Sequence, residues 1–285
     1  FREPRGRKDK SCAEYLGMCW ELLQSKACFW AILYFLLSGA CNLGSTAMPQ
    51  VKRNWAGVHN LQNQLFSFVG ALLFALGLYL VKTYFLNYSW RILLAAPTVF
   101  LMCVDCFFMT LTIFDIVRNQ YFYLGETVIV EVPDAAKFVV LTFVIVELAD
   151  DGNEGLVYGL LTTAMNLGGP LSRAVGNQLF ALFRPSLSDA ANYIRDEPSF
   201  RVTVFISVLV TYGFMLLALP LLLLLPKQKV DAQRRKKEWS RRPAFGVATL
   251  VMMVCGLCYS LTANFLSMFP ATMCLRFAGG DGCGK

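Results

Sequence analysis

Residues 27–48, ACFWAILYFLLSGACNLGSTAM, contain no charged side chain. At about 1.5 Å of rise per residue, a helix of that length crosses the ~30 Å hydrocarbon core of a bilayer. Outward from it, predominantly apolar runs of membrane-crossing length recur at 61–81, 92–114, 121–149, 155–183, 202–226 and 244–270. Of the 285 residues, 56% are apolar and 16% charged, against about 25% charged in globular domains. A soluble core has no room for that apolar fraction. The expected fold is an all-α membrane protein, a multi-pass helical bundle of six spans plus one further helix. It divides into a basic cytoplasmic segment (1–26), a six-helix transmembrane bundle (27–226), a basic cytoplasmic linker (227–243), a seventh transmembrane helix (244–270) and a polar tail (271–285).

The placement of charge tests that count. Of 26 Lys and Arg, five lie in the first ten residues and eight in KQKVDAQRRKKEWSRRP, 227–243. With the first segment cytoplasmic, the loops on its side carry 16 Lys and Arg and the opposite loops carry 7. Cytoplasmic loops show that bias. The two clusters are separated by six spans, an even number, so both reach the same side. A net charge of +7 raises nucleic acid as a partner. Both clusters flank apolar spans without interleaved aromatics, so the lipid bilayer is the expected partner and nucleic acid is not. The chain opens on Phe1, and its first apolar run begins only near residue 27, so it reads as a fragment rather than as a signal peptide and mature chain.

Catalytic patterns are missing. The sequence has no HExxH, GxSxG, phosphate-binding loop or dinucleotide fingerprint, and it holds a single histidine, His59, in an outer loop. No enzyme, metal or cofactor is expected. Cys103-x-x-Cys106 and Cys255-x-x-Cys258 have metal-like spacing but sit inside apolar runs, where cysteine serves as a small buried hydrophobe. Cys274 and Cys283 lie in the polar tail and would pair on an oxidising side.

Charge inside a span costs about 2.5–3.5 kcal/mol at mid-membrane on insertion scales, so intramembrane charge marks functional candidates. The fourth span carries Glu126, Glu131, Asp134 and Lys137 within an arc of roughly 140°. Asp134 and Lys137, three apart, can neutralise each other, leaving Glu126 and Glu131 free to bind. In the alternative reading the helix begins near Ala135, since Pro133 suits a first turn, and the acids occupy an interfacial turn. The fifth span aligns Gly159, Thr162, Asn166, Arg173 and Asn177 on one stripe about 60° wide. Gly168-Gly169-Pro170 predicts a local break beside it, a feature of midplane transport sites. The alternative there is a close helix contact through small residues with Arg173 snorkelling outward. Substrate-binding candidates are therefore Glu126, Glu131, Asn166, Arg173 and Asn177. Asp105, a lone acid in the third span, and Asp134 are the proton-coupling candidates. Glu147, Asp150, Asp151 and Glu154 crowd a cytoplasmic turn suited to a gate or to basic partners.

The segments FYLGETVIVEVPDAAKF (122–138) and ELADDGNEGLVYGLLTTAMNLGGPLSRAVGNQ (147–178) resemble the folate–biopterin transporter family of the major facilitator superfamily. The resemblance rests on Gly125, Glu126, Pro133, Gly152, Glu154, Tyr158, Leu160, Leu161, Thr162, Asn166 and Gly168. It extends from about 15 to 270 and looks like the C-terminal six-helix half plus one helix, which makes the missing N-terminal half a partner. The family usually has Asp where Glu126 stands, which keeps the acid and changes its reach. The resemblance implies alternating-access transport of folates or pterins, coupled to protons, in an integral multi-pass protein of the plasma membrane. A pterin offers an amino group and a ring N–H to a carboxylate such as Glu126 or Glu131, and a folate tail offers carboxylates to Arg173. A channel or a non-transporting membrane scaffold is the alternative. A channel would need polar stripes on several helices, whereas the second, sixth and seventh spans are nearly uncharged.

Overall fold

A computed structural model describes residues 11–149, 154–280 and 283. The cationic run from Arg2 to Lys10 and the acids Asp150 and Asp151 fall outside them. Every regular element among the described residues is helical. The first helix, α1 (Cys12–Leu23), opens with a capping box between Ser11 and Glu14, which satisfies two of its free N–H groups. The chain then rises through α2 (Lys26–Cys41), and a short α3 (Met48–Gln50) continues into a wide turn over Val51–Trp55. It descends in α4 (Asn60–Leu80) and returns in α5 (Trp90–Ile113). Next come α6 (Gln120–Ile129) and α7 (Glu131–Leu148), followed by α8 (Glu154–Phe180). A small outer helix, α9 (Ala190–Arg195), precedes α10 (Pro198–Ala218). The basic linker folds as α11 (Lys229–Glu238), and α12 (Pro243–Met268) ends the bundle.

Four helical segments are long and apolar enough to cross a membrane by length and composition: Asn60–Phe85, Trp90–Ile113, Pro198–Leu224 and Pro243–Met268. Their outward faces are apolar, with Leu65, Phe68 and Leu72 on α4 and Val247, Val251 and Leu261 on α12 exposed. The other expected spans correspond to α2, to α6 with α7, and to α8, which carry the polar side chains and pack against one another. The fourth span runs over 120–148 as expected: Val130 keeps helical angles (φ −74°, ψ −18°), so α6 runs into α7 and its acids lie inside the span, not in an entry turn before Ala135 as the alternative had it. One sequence expectation is corrected here: the fifth span is not broken at Gly168-Gly169-Pro170, because α8 continues through Pro170. One lost N–H costs little where neighbouring helices hold both sides. A methyl group on Gly168 would lie 2.7 Å from the Gly39 Cα, so α2 and α8 touch backbone to backbone. From the other side, Asn264 Nδ2 of α12 donates to the Pro170 carbonyl at 3.1 Å.

The interior consists of two separate apolar clusters. One, at the end of the bundle that carries α1 and α11, centres on Ile32, Val144, Val157, Leu161 and Leu225, and the other, at the opposite or outer end, on Val51, Ile113, Phe180, Tyr193 and Phe200. The 184–201 loop folds over the outer cluster and buries Leu187 and Tyr193. At the α11 end, the last carbonyls of the sixth span accept from Arg91 (Leu223 at 2.9 Å, Leu225 at 2.6 Å) and Arg235 (Leu224 at 2.9 Å). Glu147 is held there by Lys229 at 2.8 Å and Gln233 at 3.0 Å, so it has the basic partner its position suggested. The Cys-x-x-Cys cysteines differ from expectation: Cys103, Cys255 and Cys258 are exposed on outer helix faces rather than buried. Cys274 and Cys283 are joined in a disulfide.

Candidate functional site

Between the two clusters, polar groups from five helices gather at mid-depth. Lys137 stands eleven residues, about 16 Å, from the cytoplasmic end of α7. Its ammonium pairs with Asp134 at 2.6 Å, one turn away, as the i,i+3 spacing predicts. Asp105 on α5 accepts a hydrogen bond from the Tyr212 hydroxyl on α10 at 2.7 Å. Glu126 shares its electrostatic surroundings with Asp105, Asp134 and Lys52. Lys52 belongs to the turn after α3 and also donates to Asn63 at 2.6 Å. Helix packing thus brings Asp105, Glu126 and Asp134 into one neighbourhood. Glu131 leaves it slightly, lying against α4 where a methyl on Gly70 would be 3.1 Å from the Glu131 Cγ.

A cavity of about 330 Å³ lies inside the bundle, walled by α2, α5, α7, α8 and the end of α10. Its polar lining is Tyr34, Ser38, Asn42, Thr98, Lys137 and Ser172, and the rest is mostly Leu, Met and Phe. Tyr34 and Ser38 share a hydrogen bond. The Thr98 and Ser172 hydroxyls donate back to their own helices, to Leu94 and Gly169.

The predicted residues of α8 lie elsewhere. Asn166 and Arg173 are exposed on a face turned away from that cavity, and Arg173 pairs with no acid among the described residues. The close contact through small residues uses Gly168, on another face. Asn177 is half-buried and borders a second cavity of about 430 Å³ under the C-terminal tail, where Gly279 packs against it. Neither Glu126, Glu131 and Asp134 nor Arg173 is among the residues that line the first cavity.

Sequence reasoning missed several groups. Tyr34, Ser38 and Asn42 follow an i, i+4, i+8 spacing on a span read only as uncharged, so that stripe was readable. Tyr212 had no such signal, because its partner Asp105 is 107 residues away.

A sequence model of the BT1 family matches residues 23–244, so α12 lies almost wholly beyond the matched region. No curated protein and no solved structure matches the chain.

Proposed function

The chain belongs to the BT1 family, the folate–biopterin transporters, and from that premise we propose that it carries a folate or pterin across its membrane by alternating access, coupled to protons. The observation that carries the reading is the neighbourhood of Asp105, Glu126 and Asp134 inside an apolar bundle, beside a cavity at mid-depth. Acids are costly there unless they bind or move a cation or proton. In this reading Glu126 and Glu131 accept the pterin amino group and ring N–H. Asp105 and Asp134 exchange protons, while Asn166, Arg173 and Asn177 form a second contact surface on α8. An exposed polar stripe on a membrane helix needs water or protein beside it, and a further six-span half of the same protein would supply both. The plasma membrane is the proposed location.

Reconstitution in vesicles with labelled folate and a pH gradient tests this. We expect saturable uptake that an uncoupler abolishes. Uptake linear in concentration would indicate a channel, and none at all a scaffold. Arg173→Ala should raise the folate KM about tenfold, the value of one charge-assisted contact. An unchanged KM removes Arg173 from the site.

A further inference from the structure

We propose that the mid-depth cavity binds the carboxylate tail of folate through Lys137, with Asp134 as the resting counter-ion that the substrate displaces. The inference rests on the folate–pterin reading and adds to it a specificity residue. Lys137 is the sole charged side chain among the described residues that line the cavity. Its side chain is 30% exposed and lines the cavity, so its ammonium is reached from there. A lysine there is a flexible point charge with three donors, one of them spent on Asp134. The other polar lining groups are neutral. Thr98 and Ser172 have committed their protons to backbone carbonyls, Tyr34 and Ser38 bond each other, and Asn42 offers a neutral amide. Apolar walls from Phe35, Leu94, Leu141 and Met215 suit the aromatic ring next to the tail. About 330 Å³ is at the small end of ligand cavities, which run about 300–1,000 Å³, so one end of a folate fits and a whole folate does not.

When folate enters, its carboxylate takes the Lys137 ammonium and the released Asp134 carboxylate takes up a proton, so one ion pair replaces another and no unpaired carboxylate is left in the span. Biopterin has a pterin ring and no carboxylate, and it leaves the Lys137–Asp134 pair intact. The full chain in vesicles separates the two substrates. Lys137→Gln should raise the folate KM about tenfold or more and leave biopterin within about twofold. Lys137→Arg should retain folate uptake. Asp134→Asn should lower the folate KM, since the competing anion is gone. The double substitution Asp134→Asn with Lys137→Gln leaves no unpaired charge in the membrane; measured against Asp134→Asn alone, which removes the proton-exchanging acid for both substrates, it should show a further loss confined to folate. A further loss shared equally by both substrates, or no further loss of either, overturns the proposal. If the wild-type chain moves neither substrate, the transport reading itself fails; if it moves both and Lys137→Gln does not distinguish them, only the role of Lys137 falls.

Discussion

Glu126 is held differently from the other acids of its span. Asp134 has Lys137 at 2.6 Å, and Glu131 is wedged against α4, but the charges that act on Glu126 are those of Asp105, Asp134 and Lys52, none of them a salt-bridge partner. A carboxylate in such a place favours a ligand that brings hydrogen-bond donors. The pterin ring is common to folate and biopterin, so Glu126→Gln should depress uptake of both in parallel. The expected loss is about tenfold or more, because a hydrogen bond to an ionised group contributes about 1.5–3 kcal/mol. Glu126→Asp, which keeps the charge with a shorter reach, should lose less. Initial-rate uptake of both substrates checks this, and unchanged rates for Glu126→Gln would take the residue out of the site. The acids and Arg173 were legible from sequence alone, because charge in a membrane span is costly wherever the helix points. Which of them share a space was not legible. That depends on helix rotation and on partners such as Tyr212, set by contacts far apart in the chain.

At the scale of elements, the outer ends of several helices are tied by one carboxylate. Asp196, which ends α9 in a left-handed conformation, accepts from Arg118 at 2.5 and 3.0 Å and from Arg201 at 2.9 and 2.6 Å. Arg118 also caps the Thr112 and Ile113 carbonyls of α5 and lies 4.6 Å from the Trp55 ring centre. Burial alone would raise the Asp196 carboxyl, but the hydrogen bonds and charges of the two guanidiniums outweigh it and hold it below the usual carboxylate range. A group depressed in the folded state contributes stability that is complete above its unfolded value, about 3.9, and is lost as pH falls through its folded value. Asp196→Asn should therefore unfold at lower temperature than the wild type near neutral pH. The gap should shrink below about pH 4 and close in stronger acid. Thermal unfolding of both proteins in one detergent across that range measures it, and a gap independent of pH would show that Asp196 acts through shape alone. The elements themselves were largely legible. The long apolar runs at 61–81, 92–114, 202–226 and 244–270 return as α4, α5, α10 with its short extension, and α12. Length and low charge are local properties. The continuity of the fifth span was misread because proline was weighed as a local breaker, while Gly39 against Gly168 and Asn264 on Pro170 support α8 from outside.

For the whole molecule, charge and redox chemistry point to the same orientation. The excess of Lys and Arg in alternate loops is what a cytoplasmic α1, loop after α4 and α11 predict. On that proposed orientation an odd number of crossings separates α11 from the tail, and Cys274 and Cys283 lie opposite the cytoplasm, where a disulfide persists. The two arguments are independent, since one counts cations and the other concerns thiol oxidation. Single cysteines at exposed positions test the orientation directly in cells. Ala190→Cys, on α9, should react with a membrane-impermeant maleimide added outside, and Gln228→Cys, beside α11, should react only after the membrane is opened. Cys274 and Cys283 should stay unlabelled from outside until a reductant is added and then label without permeabilisation. If Gln228→Cys is the one labelled in intact cells, the bundle is inverted, and the basic surface of α11 would face away from the anionic cytoplasmic leaflet that gives its charges a favourable neighbour.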